Sequence, residues 1–206
     1  MGIKINCPLN VSDFSIYFVR NYNLSTNAKM DPSYLQQIDR PRPWASTLNE
    51  LKISFLYMNR GAHYSEDTPL LQSLGDTFNY LREFHPNVTV MYRTTPSGHK
   101  GCEPFVESQP ITPADLDRFT HYNYHWNVFP HQNYLVRRFI TRQFPEVVLV
   151  DVANSTNLRV DSHMGNGDCL HYCIPGPIDN WVVSFASSVL HVDHSGCNNR
   201  SHYPVG

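Results

Sequence analysis

Asp168 and His171 stand three positions apart, with Cys169 and Cys173 interleaved, in the string Asp-Cys-Leu-His-Tyr-Cys-Ile-Pro-Gly-Pro-Ile-Asp-Asn-Trp that runs from 168 to 181. A carboxylate three residues ahead of a histidine in a tight turn can reach back to the ring Nδ1–H. That contact fixes the tautomer, and it stabilises the imidazolium formed when Nε2 takes a proton from a nucleophile. Such a pair suits a general base. Pro175, Gly176 and Pro177 turn the chain sharply just afterwards, and Asp179 is placed to cap a helix starting near Trp181. Taken alone, D-x-x-H is a short pattern that ordinary surface pairs share.

Three companions precede it in order: Tyr57-Met58-Asn59-Arg60-Gly61-Ala62-His63, Met91-Tyr92-Arg93-Thr94-Thr95-Pro96-Ser97-Gly98-His99 and Arg159-Val160-Asp161-Ser162-His163. With the 168–181 string they resemble the N-x-G-x-H, R-T-x-S-P-G-H, R-x-D-x-H and C-terminal blocks of the trichome-birefringence-like and related PC-esterase proteins. These are SGNH (GDSL-type) acyl esterases and glycan O-acetyltransferases, and the resemblance covers about residues 10 to 195 as one domain. The family's Gly-Asp-Ser nucleophile block precedes all of these segments, and these 206 residues do not contain it.

The resemblance implies a three-layer, SGNH-hydrolase-like (flavodoxin-like) α/β fold lacking its first strand, spanning 1–206 as a single N-terminally truncated domain. It makes Asp168 and His171 the acid and base of a Ser-His-Asp triad. It gives Asn59 and Gly61 to oxyanion stabilisation and Arg93 and His99 to the lining of the acyl or glycan pocket. Arg159, Asp161 and His163 would brace the catalytic loop, and Cys102 would bond to Cys169. The implied partners are a carbohydrate acceptor and an acetyl donor, with no metal or redox cofactor. A glycan-binding protein that kept the groove and lost the serine is the rival.

One decoy is excluded. Gly75-Asp76-Thr77 imitates the nucleophile block, but it falls inside an amphipathic helix after Asn59, where nothing would bring it to His171.

Composition agrees with a single domain of this kind. The net charge of −2 leaves no footprint for nucleic acid or an anionic membrane. No apolar run has signal-peptide or transmembrane length, and Asn6 stands where a myristoylation pattern needs Ser or Thr. Yet Asn10, Asn23, Asn87, Asn154 and Asn199 each open an N-x-S/T sequon, and 5 cysteines are present. Both features point to the secretory pathway, in the Golgi lumen or outside the cell. A secreted-type chain without a targeting segment reads as truncated, with any membrane contact confined to a missing N-terminal anchor. A metal site from Cys169, His171, Cys173, His191, His194 and Cys197 is the competing use of the cysteines. Their spacing is not that of a zinc knuckle, so disulfides are favoured.

The elements that must position these residues follow from periodicity. Strands are expected at 14–20, 53–58, 88–92 and 147–152, with helices at 69–84, 132–144 and 181–190. The segment 103–127 is irregular and long for a plain connection, and the loop after the last strand runs through Asp168. Strands alternating with helices give a mostly parallel sheet, whose ligand site lies beyond the carboxyl ends of its strands. The motifs directly follow strands or lie on the final strand-to-helix connection.

Overall fold

The computed structural model describes residues 16–18, 44–62, 64–105, 109–119 and 125–198. The strand expected at 14–20 lies outside these residues except for 16–18, which take no regular structure.

The first described helix, α1 (Trp44–Leu51), starts directly after Pro41-Arg42-Pro43. A proline at or before a helix's first turn sacrifices no hydrogen bond, so such residues can open a helix as well as close one. Strand β1 (Phe55–Met58), helix α2 (Asp67–Phe84), strand β2 (Thr89–Arg93), helix α3 (Phe129–Gln143) and strand β3 (Val148–Val150) then alternate. The strands form a parallel sheet in the order β1-β2-β3, with Tyr57 opposite Met91 and Arg93 opposite Val150.

Alternation along β2 divides the molecule into layers. Val90 and Tyr92 join Met58 on the face covered by Leu48 of α1, Leu70, Leu74, Phe78 and Leu81 of α2, and Val136 and Ile140 of α3. Burying each of these large apolar side chains contributes on the order of 2 kcal/mol. Met91 and Val150 point the other way and meet Trp181, Phe185 and Val189 of α5 (Pro177–Asn198). Helices therefore cover both faces of a parallel sheet, as in three-layer α/β proteins. The decoy Thr77 is fully buried in α2, on the core side.

The chain between β3 and α5 differs from the expected loop. It holds the short helix α4 (Ala153–Thr156) and an antiparallel hairpin of β4 (His163–Gly165) and β5 (Asp168–Tyr172). Asn166 and Gly167 turn the hairpin, both with positive φ (54° and 85°), as a two-residue primed turn requires. Helix α5 begins four residues before the expected Trp181. Pro177 fits its first turn, and Asp179 reaches back to the Gly176 N–H at 2.6 Å.

The segment expected to be irregular, 103–127, carries 3₁₀ helices over Glu103–Phe105, Pro113–Phe119 and Trp126–Val128 in its described parts, and these have a core of their own. Phe119 and Trp126 pack with Phe129, Val160 and the Cys102 and Cys169 side chains.

Candidate active site

In a regular strand, residues i and i+3 point to opposite faces, so Asp168 and His171 could not meet across an ideal β5. The hairpin register removes the obstacle. His163 pairs with Tyr172 and Gly165 with Asp168, so one residue of β4, Met164, faces three of β5, Cys169 to His171. The two surplus residues bulge, and the backbone curls around the Asp168 carboxylate. Oδ1 accepts the N–H groups of Leu170 (3.0 Å) and His171 (2.9 Å), while Oδ2 lies 2.8 Å from His171 Nδ1. A bulged strand, rather than the expected tight turn, joins the acid to the imidazole.

Partial burial alone would raise the Asp168 pKa. The N–H groups of His171 and Leu170, with the His171 ring, outweigh it and hold the carboxyl below its ordinary value. Asp168 is therefore an acceptor throughout the neutral range, which directs the ring proton of His171 to Nδ1 and leaves Nε2 as the basic nitrogen. The His171 side chain is 71 % exposed, and none of the described residues hydrogen-bonds its Nε2. No described serine or threonine hydroxyl is bonded to this ring. Ser97 donates to the Trp126 carbonyl, and Ser162 is held by Arg159 and Asp161.

Behind this pair lies the loop Thr94–His99, every residue of which is buried. Thr94 Oγ1 receives the N–H groups of Val152 and Ala153 at the end of β3. Thr95 exchanges two bonds with the Asn133 side chain of α3, at 2.9 and 2.8 Å. Ser97 N–H donates to the Asn157 side chain, and the Ser97 carbonyl accepts the Tyr172 hydroxyl at 2.7 Å. The His99 N–H donates to the Cys169 carbonyl at 2.8 Å. The disulfide between Cys102 and Cys169, with Cα atoms 5.6 Å apart, closes the same junction covalently. It also removes Cys169 from any metal site. The loop after β2 and the hairpin carrying Asp168 and His171 are thus one connected structure.

The other residues singled out in the sequence occupy definite places in it. Asn59 spends both amide hydrogens on the Arg93 carbonyl (2.7 Å) and Thr95 Oγ1 (2.9 Å), tying the end of β1 to this loop. Gly61 is needed for close approach, since a Cβ there would stand 2.4 Å from Thr95 Oγ1. Arg93 lays its guanidinium over the Trp181 indole, 4.6 Å from the ring centroid, and donates to the Thr94 carbonyl. Burial lowers its pKa, and no carboxylate forms an ion pair with it among the described residues.

His99 is 1 % exposed and bonds to the Asn157 carbonyl and to the His163 ring. It faces the interior rather than an open groove. Arg159 grips Asp161 through Nε and Nη2 and also donates to Ser162. Burial would raise the Asp161 pKa, but these donors hold it below the ordinary carboxyl value. His63 and the side chains of His194 and Cys197 lie outside what is described; Cys173 is a free thiol of intermediate burial.

Asn133, Asn157 and Tyr172 were not foreseen as site-building residues. Each acts through contacts 38 or more positions away in sequence, for which local pattern holds no signal. Asn166-Gly167 is different: that dipeptide is a strong short-range hairpin signal.

No family model matches the chain. It is similar to protein trichome birefringence-like 25 of Arabidopsis thaliana, 23 % identical over 64 % of this chain. The match spans 38 % of that relative's length.

Proposed function

We propose that these residues are the acid–base part of a carbohydrate O-acetyltransferase or acetylesterase domain in which a serine completes a Ser-His-Asp triad. The observation that carries the reading is the Asp168–His171 contact, with Nδ1 anchored and Nε2 facing solvent. Nε2 takes the proton as serine Oγ attacks the acetyl carbon, and Asp168 stabilises the imidazolium. Collapse of the tetrahedral adduct expels the donor's alkoxide, which takes the proton from Nε2. The acceptor hydroxyl, or water, then attacks the acyl-serine with His171 again as base.

The serine comes from chain outside these 206 residues, in a single SGNH-like domain. The relative's name supports the family reading, and the order of the four motifs supports its chemistry. In this reading Asn59 and Gly61 shape the end of β1 beside the oxyanion rather than donating the amide side chain. Arg93 on Trp181 forms a cationic wall of the acceptor groove. The disulfide and the exposed sequon residues Asn87 and Asn154 support a lumenal or extracellular location.

The test compares this chain with a longer form that carries a Gly-Asp-Ser block, using a chromogenic acetate ester. The longer form should turn over and be labelled by a serine-directed fluorophosphonate; the chain alone should do neither. Phosphonate-sensitive turnover by the chain alone would place the nucleophile within it. The rival reading, a glycan-binding protein without catalysis, draws on the lack of a described hydroxyl bonded to His171. It predicts saturable binding of acetylated oligosaccharides with no turnover in either form.

A further inference from the structure

His99 and His163 are both buried, 1 % and 0 % exposed, and their rings are joined in a line that ends on a main-chain carbonyl at each side. His99 Nε2 lies 2.7 Å from the Asn157 carbonyl oxygen, and His99 Nδ1 lies 2.7 Å from His163 Nε2. His163 Nδ1 lies 3.1 Å from the carbonyl oxygen of His171. Carbonyl oxygens only accept, so each outer contact needs a ring proton, and the contact between the rings needs a third. Two neutral imidazoles carry only two. One contact must therefore set two lone pairs against each other, unless the pair takes up an extra proton.

We propose that His99 and His163 form one buried proton-binding site, empty at neutral pH and filled only in acid, whose proton positions His171 through its main-chain carbonyl. In the neutral pair, the two 2.7 Å contacts keep their protons: His99 Nε2–H donates to Asn157, and His163 Nε2–H donates to His99 Nδ1. The bare nitrogen is then His163 Nδ1, at the longest of the three contacts. A proton from solvent adds there, the pair becomes singly positive, and His163 Nδ1–H donates to the His171 carbonyl. The His171 N–H is already held by Asp168 Oδ1, so both sides of its peptide frame become fixed.

The surroundings decide where this occurs. Burial opposes the charge on both rings, and His99 opposes it on His163. Asp161 favours it on both rings and Asp168 favours it on His163. Of the neighbouring side chains, Tyr172 stacks on His163 at 4.4 Å, Phe119 meets His99 edge-on at 6.1 Å, and the Cys173 thiol donates to the His163 carbonyl at 3.4 Å. Tyr172 stays a neutral phenol, since burial raises its pKa. The net result is uptake below the ordinary histidine range.

The role given to His171 rests on its reading as the base, but the proton count does not. Titration of the whole chain by imidazole 15N and carbonyl 13C resonances tests both. The expected result is a single uptake seen by both buried rings at one shared midpoint below about 6.5, with the His171 carbonyl shifting at that midpoint. His99→Phe should move the midpoint of His163 and alter the carbonyl step. Two independent midpoints, or no uptake before the chain unfolds, would overturn the shared site. A His171 carbonyl that ignores the uptake would overturn the positioning role. These readouts require no turnover, so they can fail while ester chemistry in a serine-bearing form stands, and the reverse.

Discussion

Asp168 holds His171 twice, with Oδ1 on its main-chain N–H and Oδ2 on its ring Nδ1. One side chain thus fixes both the backbone curl that presents the histidine and the tautomer that leaves Nε2 basic. The two functions separate under substitution. Asp168→Asn retains an acceptor oxygen for the main-chain N–H groups but can turn its amide donor toward Nδ1, which favours the proton on Nε2. In a serine-bearing form this should lower turnover severely; the equivalent change in a well-studied serine protease triad costs about ten-thousand-fold. His171→Ala should be as severe, with the fold retained. Initial rates on one acetylated substrate, with thermal melts for each variant, check both. Near-native turnover in His171→Ala would move the base elsewhere.

Gly61 and Thr95 make a second, purely steric test. A methyl at Gly61 would meet Thr95 Oγ1 at 2.4 Å, the atom that also receives the Asn59 amide. Gly61→Ala should therefore destabilise by about 1–3 kcal/mol, through displacement of Thr95 and loss of the Asn59 link. Gly61→Ala combined with Thr95→Ala should cost less than the two single changes added together, because removing Oγ1 removes the clash. Urea denaturation of all three variants measures the coupling. Strict additivity would mean that the β1 end yields without using Thr95.

The parallel sheet and the helices α2 and α3 were readable because their signals are local. Leu70, Leu74, Phe78 and Leu81 keep helical spacing, and the apolar runs at β1, β2 and β3 are short and bounded. The hairpin was not read. Its two-residue bulge destroys period-2 alternation across Cys169 to His171, even though Asn166-Gly167 signalled a turn. Helix α5 starts earlier than the pattern predicts because Pro177, a residue equally suited to a turn, opens the helix in the structure and Asp179 caps it. The acid–imidazole contact was legible from type and spacing, but the means of making it was not. The latches from Asn133, Asn157 and Tyr172 depend on tertiary proximity alone, and one sequence carries no record of that.

The disulfide between Cys102 and Cys169 closes a separation of 67 residues and ties the loop after β2 to β5. In the chain-entropy view, a closure of this length contributes about 4 kcal/mol. Cys102→Ser with Cys169→Ser should lower the free energy of unfolding by up to this amount, and a reducing agent should do the same to the native chain but not to the variant. Non-reducing peptide mapping should recover the linked pair. Free thiols at both positions, in material from an oxidising compartment, would contradict the bond.

His163 gives stability a pH dependence whose sign is fixed by the direction of its shift. Burial first, and repulsion from His99 as well, push its pKa down to about 4, against the opposing pull of the His171 carbonyl and the carboxylates Asp168 and Asp161. In the unfolded chain it titrates near 6.5. Above about 6.5 the ring is neutral in both states, so it makes stability neither rise nor fall with pH. Between about 6.5 and about 4 the unfolded chain binds a proton that the folded chain refuses, so stability falls as pH falls. Below about 4 both states are protonated and the loss attributable to this ring is complete, on the order of 3 kcal/mol. Asp168 and Asp161 are held below the ordinary carboxyl range, so their own losses begin near the bottom of that window and continue below it. Denaturant melts at half-unit steps from pH 7.5 to 4 should show a falling limb that begins near 6.5, above the range in which these carboxylates titrate. His163→Phe removes the titrating ring and should flatten that upper part while leaving the steeper acid limb. If this variant does not fold, His99→Phe should still shorten the limb, with its onset unchanged near about 6.5 and its lower end brought to higher pH by relief of the repulsion on His163. A limb unchanged in both folded variants would show that another group supplies the proton.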